Sequence, residues 1–156
     1  SIIHAMYNID CSKIIWIDAD TEIKKPISKK IIDHVNPRSI LSSHFGVKHR
    51  WPSERNQNRT AFSCETGFFV LNKLHEQFPT FKEVYKKIYT GKRKEEMRRF
   101  YDGEVYGKTV EILNNQGIAM INLNEGGHKT PIPRSIIGEY ISHYKAGLKH
   151  RVKDEI

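Results

Sequence analysis

The feature that most constrains this chain is Ile14-Ile15-Trp16-Ile17, an unbroken apolar run that ends abruptly in Asp18-Ala19-Asp20. The run does not alternate as a half-exposed strand would, and it is too short for a buried helix. It reads as a strand covered on both faces. Gly67-Phe68-Phe69-Val70-Leu71-Asn72 reads the same way. Shorter strands are expected over Ser39–Ser43 and Ile118–Leu123.

Helices are expected between these runs. Pro26 opens one, because its missing N–H costs nothing in a first turn. Ile27, Ile31, Ile32 and Val35 give that helix one apolar stripe, and Asn36-Pro37 stops it. Leu74, Phe78, Phe81, Tyr85 and Ile88 follow at spacings of four, three, four and three. That period predicts an amphipathic helix ending near Gly91. Another covers roughly residues 93–113, with Asp102-Gly103 as the place where it would break. Gly46 to Thr60 is a long, polar, basic loop around Trp51-Pro52, and residues 124–133 form a Gly- and Pro-rich loop. Strands alternating with helices predict an α/β fold with a mixed, mainly parallel sheet flanked by helices. The 156 residues suit a single domain spanning 1–156.

The net charge of +8 favours anionic partners without choosing among nucleic acid, lipid and phosphorylated metabolites. Lys24-Lys25, Lys29-Lys30, Lys92-Arg93-Lys94 and Arg98-Arg99 read first as solvated helix faces. No apolar run approaches the ~18 residues of a membrane span. Ser1-Ile2-Ile3-His4 lacks the basic head and apolar stretch of a signal peptide. Cys11 and Cys64 are too few for a zinc cluster or a disulfide framework, and read as ordinary thiols in or near the core. Together these predict a reducing, cytoplasmic setting.

In an extended segment, residues two apart face the same side, about 6.5–7 Å along the chain. At a strand end, Asp18 and Asp20 can therefore approach one cation together. Their hard oxygens suit Mg2+ or Mn2+, ions that also take phosphate oxygens. Without a cation the two carboxylates repel and one is driven toward protonation. The plainer alternative is a strand-ending turn, where Asp accepts backbone N–H groups.

Ile15-Trp16-Ile17-Asp18-Ala19-Asp20-Thr21 resembles the D-x-D strand end of glycosyltransferases with the A-type fold, especially the glycogenin-like and galactosyltransferase-like group. His143-Tyr144-Lys145-Ala146-Gly147-Leu148-Lys149 is similar to that group's carboxyl-end H-x-x-G-x-x-K motif. His143 and Lys149 keep its spacing, while Gly147 falls one position late. The resemblance implies a glycosyltransferase-A-like sheet with Asp18, Asp20 and His143 as metal ligands for Mn2+ or Mg2+. It further implies a nucleotide sugar, UDP-linked, as donor, with Lys149 and Lys145 at its diphosphate, and a saccharide or other hydroxyl acceptor. Glu65-Thr66-Gly67-Phe68-Phe69-Val70-Leu71-Asn72 is similar to the strand lining the acceptor side. Glu65 becomes a hydroxyl-binding residue or general base, Gly67 lets a sugar approach the backbone, and Asp102 is an acceptor-side carboxylate. Trp51 is a candidate for stacking on a sugar or base. The likeness runs from about Asp10 to Lys149. In that fold a nucleotide-binding half precedes D-x-D, whereas seventeen residues precede Asp18 here, so the resemblance implies a piece of a longer enzyme.

Asp18, Asp20 and Thr21 also fit the D-x-D-x-T motif of haloacid-dehalogenase-type phosphatases, with Ser42 or Ser43 as a weak second motif. The later acidic pair that such an enzyme requires is not found. A non-enzymatic basic module that binds nucleic acid is a third reading. It lacks any named recognition motif, and nucleic acid is not an expected partner.

Overall fold

In the computed structural model, which describes residues 2–46, 64–91, 102–126, 128 and 130–144, the two apolar runs lie side by side. The elements are α1 (Ile2–Asn8), β1 (Lys13–Ile17), β2 (Thr21–Ile23), α2 (Lys29–Val35), β3 (Leu41–His44), β4 (Glu65–Asn72), α3 (Phe78–Thr90), α4 (Asp102–Asn115), β5 (Ile121–Asn122) and β6 (Ile141–His143). Two short 3-10 helices, Ile132–Arg134 and Ile136–Glu139, precede β6. The fold is α/β, with a mixed sheet flanked by helices.

The four-stranded sheet has the order β1-β4-β3-β5, and β2 pairs with β6 in a second, two-stranded sheet. The expected mainly parallel sheet is corrected here. β4 runs antiparallel to both β1 and β3, and only β3 and β5 are parallel. An apolar run reports that a strand is covered on both faces, and such cover is compatible with either direction. β4 demonstrates this. Phe69 and Leu71 enter one core with Phe81, Tyr85, Val105, Tyr106 and Leu113 from α3 and α4. Phe68 and Val70 enter the other, with Ile32 and Val35 of α2 and with Ile132, Ile137 and Ile141. Successive side chains leave a strand on opposite faces, so one apolar run serves two cores. Each large side chain fully buried this way contributes on the order of 1.5–3 kcal/mol.

β1 was expected to be covered on both faces, but it is an edge strand. Trp16 packs against the first core and Ile17 against the second, while Ile15 remains 45% exposed. The α2 helix starts later than Pro26. Ser28 caps it, accepting from Ile31 N at 3.4 Å, and so places Pro26 ahead of the helix. Asn36 ends it as expected. Leu74 lies outside α3 and is 78% exposed. Pro79 sits in the first turn of α3, where it fixes the start at Phe78, and Gly91 closes the helix. Asp102-Gly103 opens the described part of α4. β5 is shorter than the strand expected there. Cys11 and Cys64 are free thiols, and Cys64 is buried. No described helix is long and apolar enough to cross a membrane. The basic loop with Trp51 and the clusters at 92–94 and 98–99 lie outside the described residues.

Candidate metal centre

The Asp18-Ala19-Asp20-Thr21 segment is a tight turn between β1 and β2, closed by Thr21 N donating to Asp18 O at 3.1 Å. The extended geometry expected for the acidic pair is therefore replaced by a turn, which folds the two carboxylates toward each other. The turn is pinned to the large sheet, because Asp18 N donates to Gly67 O at 3.2 Å, directly beyond the Ile17–Phe68 pair. β2 then leaves the turn and pairs with β6, so that Thr21 lies opposite His143. Tyr144 N donates to Asp20 O at 3.0 Å and extends the same ladder. Two residues of a turn and one from more than a hundred positions later are thus fixed together by backbone pairing.

One ligand atom from each of Asp18, Asp20 and His143 lies within 4.8 Å of the others, as a shared cation would require. His143 Nε2 is 3.0 Å from Asp20 Oδ1 and 3.8 Å from Asp18 Oδ2. On the other side of the ring, Nδ1 is 3.5 Å from Glu65 Oε1. The imidazole is only 8% exposed, so its orientation is set by its neighbours. Gly67 provides the room, since a Cβ there would lie 2.6 Å from His143 Nδ1. The open backbone that sequence reasoning reserved for a sugar is filled by the chain's own histidine.

Trp16, two residues before Asp18, donates from Nε1 to Asp18 Oδ1 at 2.8 Å while its ring stacks on Phe69 with centroids 5.8 Å apart. Burial pushes the Asp18 carboxyl above its ordinary range. The Trp16 hydrogen bond and His143 pull it back down, and Asp20 and Glu65 push it up again. Three carboxylates around one imidazole form a site in which added positive charge relieves repulsion. Thr21 Oγ1, beside the cluster, is buried without a hydrogen-bond partner among the described residues. Such a hydroxyl is satisfied by water or by a bound group.

The structure therefore brings together Asp18, Asp20, His143 and Glu65. Glu65 is 8% exposed, on the far side of the imidazole from Asp20, and its carboxylate also accepts from Gly67 N at 3.4 Å. That placement suits orientation of His143 better than contact with an acceptor hydroxyl. Asp102 is not part of the cluster. It is exposed at the start of α4 and borders a small cavity of about 90 Å3 with Ile2, Ile3, Phe69, Tyr106 and Trp16. Trp16 thus touches both places: its N–H holds Asp18 and its ring walls the cavity of Asp102. Sequence reasoning treated Trp16 as a core residue. The signal available was its position two residues before Asp18 on the same strand face. Lys145, Lys149 and Trp51 lie outside the described residues.

Comparison with known proteins returns no significant match, whether against family models, curated sequences or solved structures.

Proposed function

We propose that the chain is the metal-binding, catalytic part of a metal-dependent glycosyltransferase that moves a sugar from a nucleotide-diphosphate donor to a hydroxyl acceptor. One observation carries this reading. Asp18, Asp20 and His143, singled out together from sequence, have ligand atoms within 4.8 Å of one another. Two carboxylates and one imidazole suit Mn2+, with Mg2+ the poorer match because of the nitrogen. A cation held there would supply positive charge to the two phosphates of the donor as the nucleoside diphosphate leaves.

The remaining steps belong to the chain's own residues. Glu65 Oε1 lies 3.5 Å from Nδ1 of His143, where it would favour a proton on Nδ1 and so leave Nε2 to a metal, in the manner of carboxylate–histidine pairs behind metal sites. Trp16 holds one oxygen of Asp18 and leaves the other toward the cluster. Asp102 is assigned to the acceptor side on sequence grounds; it borders a small cavity that Trp16 also walls. Lys149 and Lys145 are assigned to the diphosphate on sequence grounds. A glycosyltransferase-A-like sheet and a UDP-linked donor belong to the same proposal.

The phosphatase reading gains no support. Ser42 is fully buried and accepts from Asn36 Nδ2 at 2.8 Å, and the third group at the cluster is an imidazole. No described feature favours nucleic-acid binding.

Thermal unfolding with Mn2+ plus UDP tests the proposal. At about 100 times the dissociation constant the ligands add roughly 2.7 kcal/mol, or several degrees for a domain of this size. The shift must vanish in Asp20→Ala. An equal shift in wild type and Asp20→Ala sinks the proposal, as does Mn2+-independent binding of UDP.

A further inference from the structure

A cleft of about 620 Å3 lies apart from the Asp18 cluster and shares no residue with it. It lies along β5 and the loop that follows it, beside the carboxyl end of α2. The volume falls in the range of small-molecule sites. His34 and Val35 of α2, residues 121–126, His128 and the segment from Pro131 to Ile136 that carries Arg134 and Ser135 contribute to its lining.

The cleft is built before any ligand arrives. Asn122 Oδ1 accepts from Phe45 N and from Asn124 N, both at 2.9 Å. Asn124 is 3% exposed and fully engaged: Nδ2 donates to Phe45 O at 2.9 Å and to His128 O at 3.3 Å, and Oδ1 accepts from His128 N at 2.8 Å. These amides fix the loop and so fix His128. Ser135, also in the lining, is held between His44 Nε2 at 3.0 Å and Ile132 O at 2.9 Å.

Arg134 and His128 then face each other. Arg134 Nη1 is 3.2 Å from His128 Nδ1. A guanidinium only donates, so Nδ1 is the acceptor and this contact uses the neutral imidazole. Arg134 has no carboxylate partner among the described residues, and most of its fork of donors remains unused. Glu125 is the one carboxylate among the described lining residues, and a carboxylate can accept from hydroxyl donors. A guanidinium with no carboxylate partner among the described residues, and one carboxylate elsewhere in the lining, matches a ligand that carries hydroxyls and a single oxyanion.

We propose that this cleft is a second ligand site, for a small polyol bearing one phosphate or carboxylate, with Arg134 taking the oxyanion and His128 beside it. A sugar phosphate and a sugar acid share this chemistry. The test follows backbone amides of the 15N-labelled chain in EDTA, which keeps the Asp18 cluster free of metal. Glucose 6-phosphate, glucuronate and glucose are titrated separately.

The expected result is movement of the Leu123, Asn124, Gly126 and Ser135 amides with glucose 6-phosphate, with glucuronate or with both. Glucose should bind at least ten-fold more weakly than the better of the two. A response to the phosphate alone assigns a phosphorylated ligand, and a response to glucuronate alone assigns a sugar acid. Arg134→Gln should weaken the response at least ten-fold with an unchanged Tm, since Arg134 is exposed. Asp20→Ala should leave it unaltered. No movement with either anion, equal binding of glucose, or undiminished binding by Arg134→Gln overturns the proposal.

Discussion

Gly67→Ala isolates the packing that orients His143. The glycine has no left-handed φ, so alanine is compatible with its backbone and the effect is steric. The new Cβ would lie 2.6, 2.8 and 2.9 Å from Nδ1, Cε1 and Cγ of His143, where ordinary contact begins at 3.4 Å. The ring must therefore retreat by roughly 1 Å to leave the repulsive wall. It has little room to do so, because Glu65 and Asp20 flank it and it is 8% exposed. Metal–ligand distances tolerate shifts of only about 0.2 Å, so a displacement this large loses Nε2 as a ligand.

Mn2+ affinity should fall about 10–100-fold, the range for disturbing groups that orient a ligand. The metal-free fold should lose about 1–3 kcal/mol through overpacking, at about 2–4 °C per kcal/mol for a chain of this length. Quenching of Trp16 fluorescence by Mn2+, read in a Trp51→Phe background, gives the affinity, and thermal unfolding gives the stability. The control is the same change in a His143→Ala background, where the clash is gone and both costs should disappear. Unaltered Mn2+ affinity and unaltered Tm in Gly67→Ala, or equal costs in the two backgrounds, would show that Gly67 does not set the place of His143.

Trp16→Phe keeps the stack on Phe69 but removes the donor to Asp18 Oδ1. Mn2+ affinity should drop several-fold and stability by about 1 kcal/mol; an affinity equal to wild type would show that Asp18 needs no such support. His44 makes an independent pH prediction. Burial lowers its pKa from 6.5 to about 4, so the unfolded chain binds the proton more readily than the folded one between these values. Stability should be full above pH 6.5 and fall as pH drops toward 4, by an amount on the order of 3 kcal/mol. Urea unfolding at pH 7 and pH 5 should show a loss that His44→Gln reduces, and parallel losses in both proteins would exclude His44 as the source.

What the sequence disclosed follows from what each signal encodes. The two apolar runs located β1 and β4 because burial is written directly in side-chain type. They misled on strand direction, since β4 serves two cores and its coverage is blind to direction. Phe78, Phe81, Tyr85 and Ile88 revealed α3 through their period. Leu74 extended that period by chance, and Pro79 overruled it. The acidic pair was legible as a motif, but its geometry was not: backbone hydrogen bonds make it a turn, and such bonds leave little trace in residue type. His143 was found by its resemblance to a known motif, whereas β6, the strand that carries it, was not anticipated. The partnership of Trp16 with Asp18 and that of Glu65 with His143 depend on which strand neighbours which, and this is decided by the whole chain. The Arg134 cleft had no sequence signal because its residues come from α2, β5 and a 3-10 helix, each unremarkable alone.

The most direct test of the central claim is a Mn2+ titration followed by electron paramagnetic resonance of the free ion, on the wild-type chain and on Asp18→Asn, Asp20→Asn and His143→Ala. One Mn2+ should bind per chain, with affinity falling at least ten-fold in each variant and no binding at this site when all three are combined. A combined variant that still binds one Mn2+ with wild-type affinity would contradict the claim.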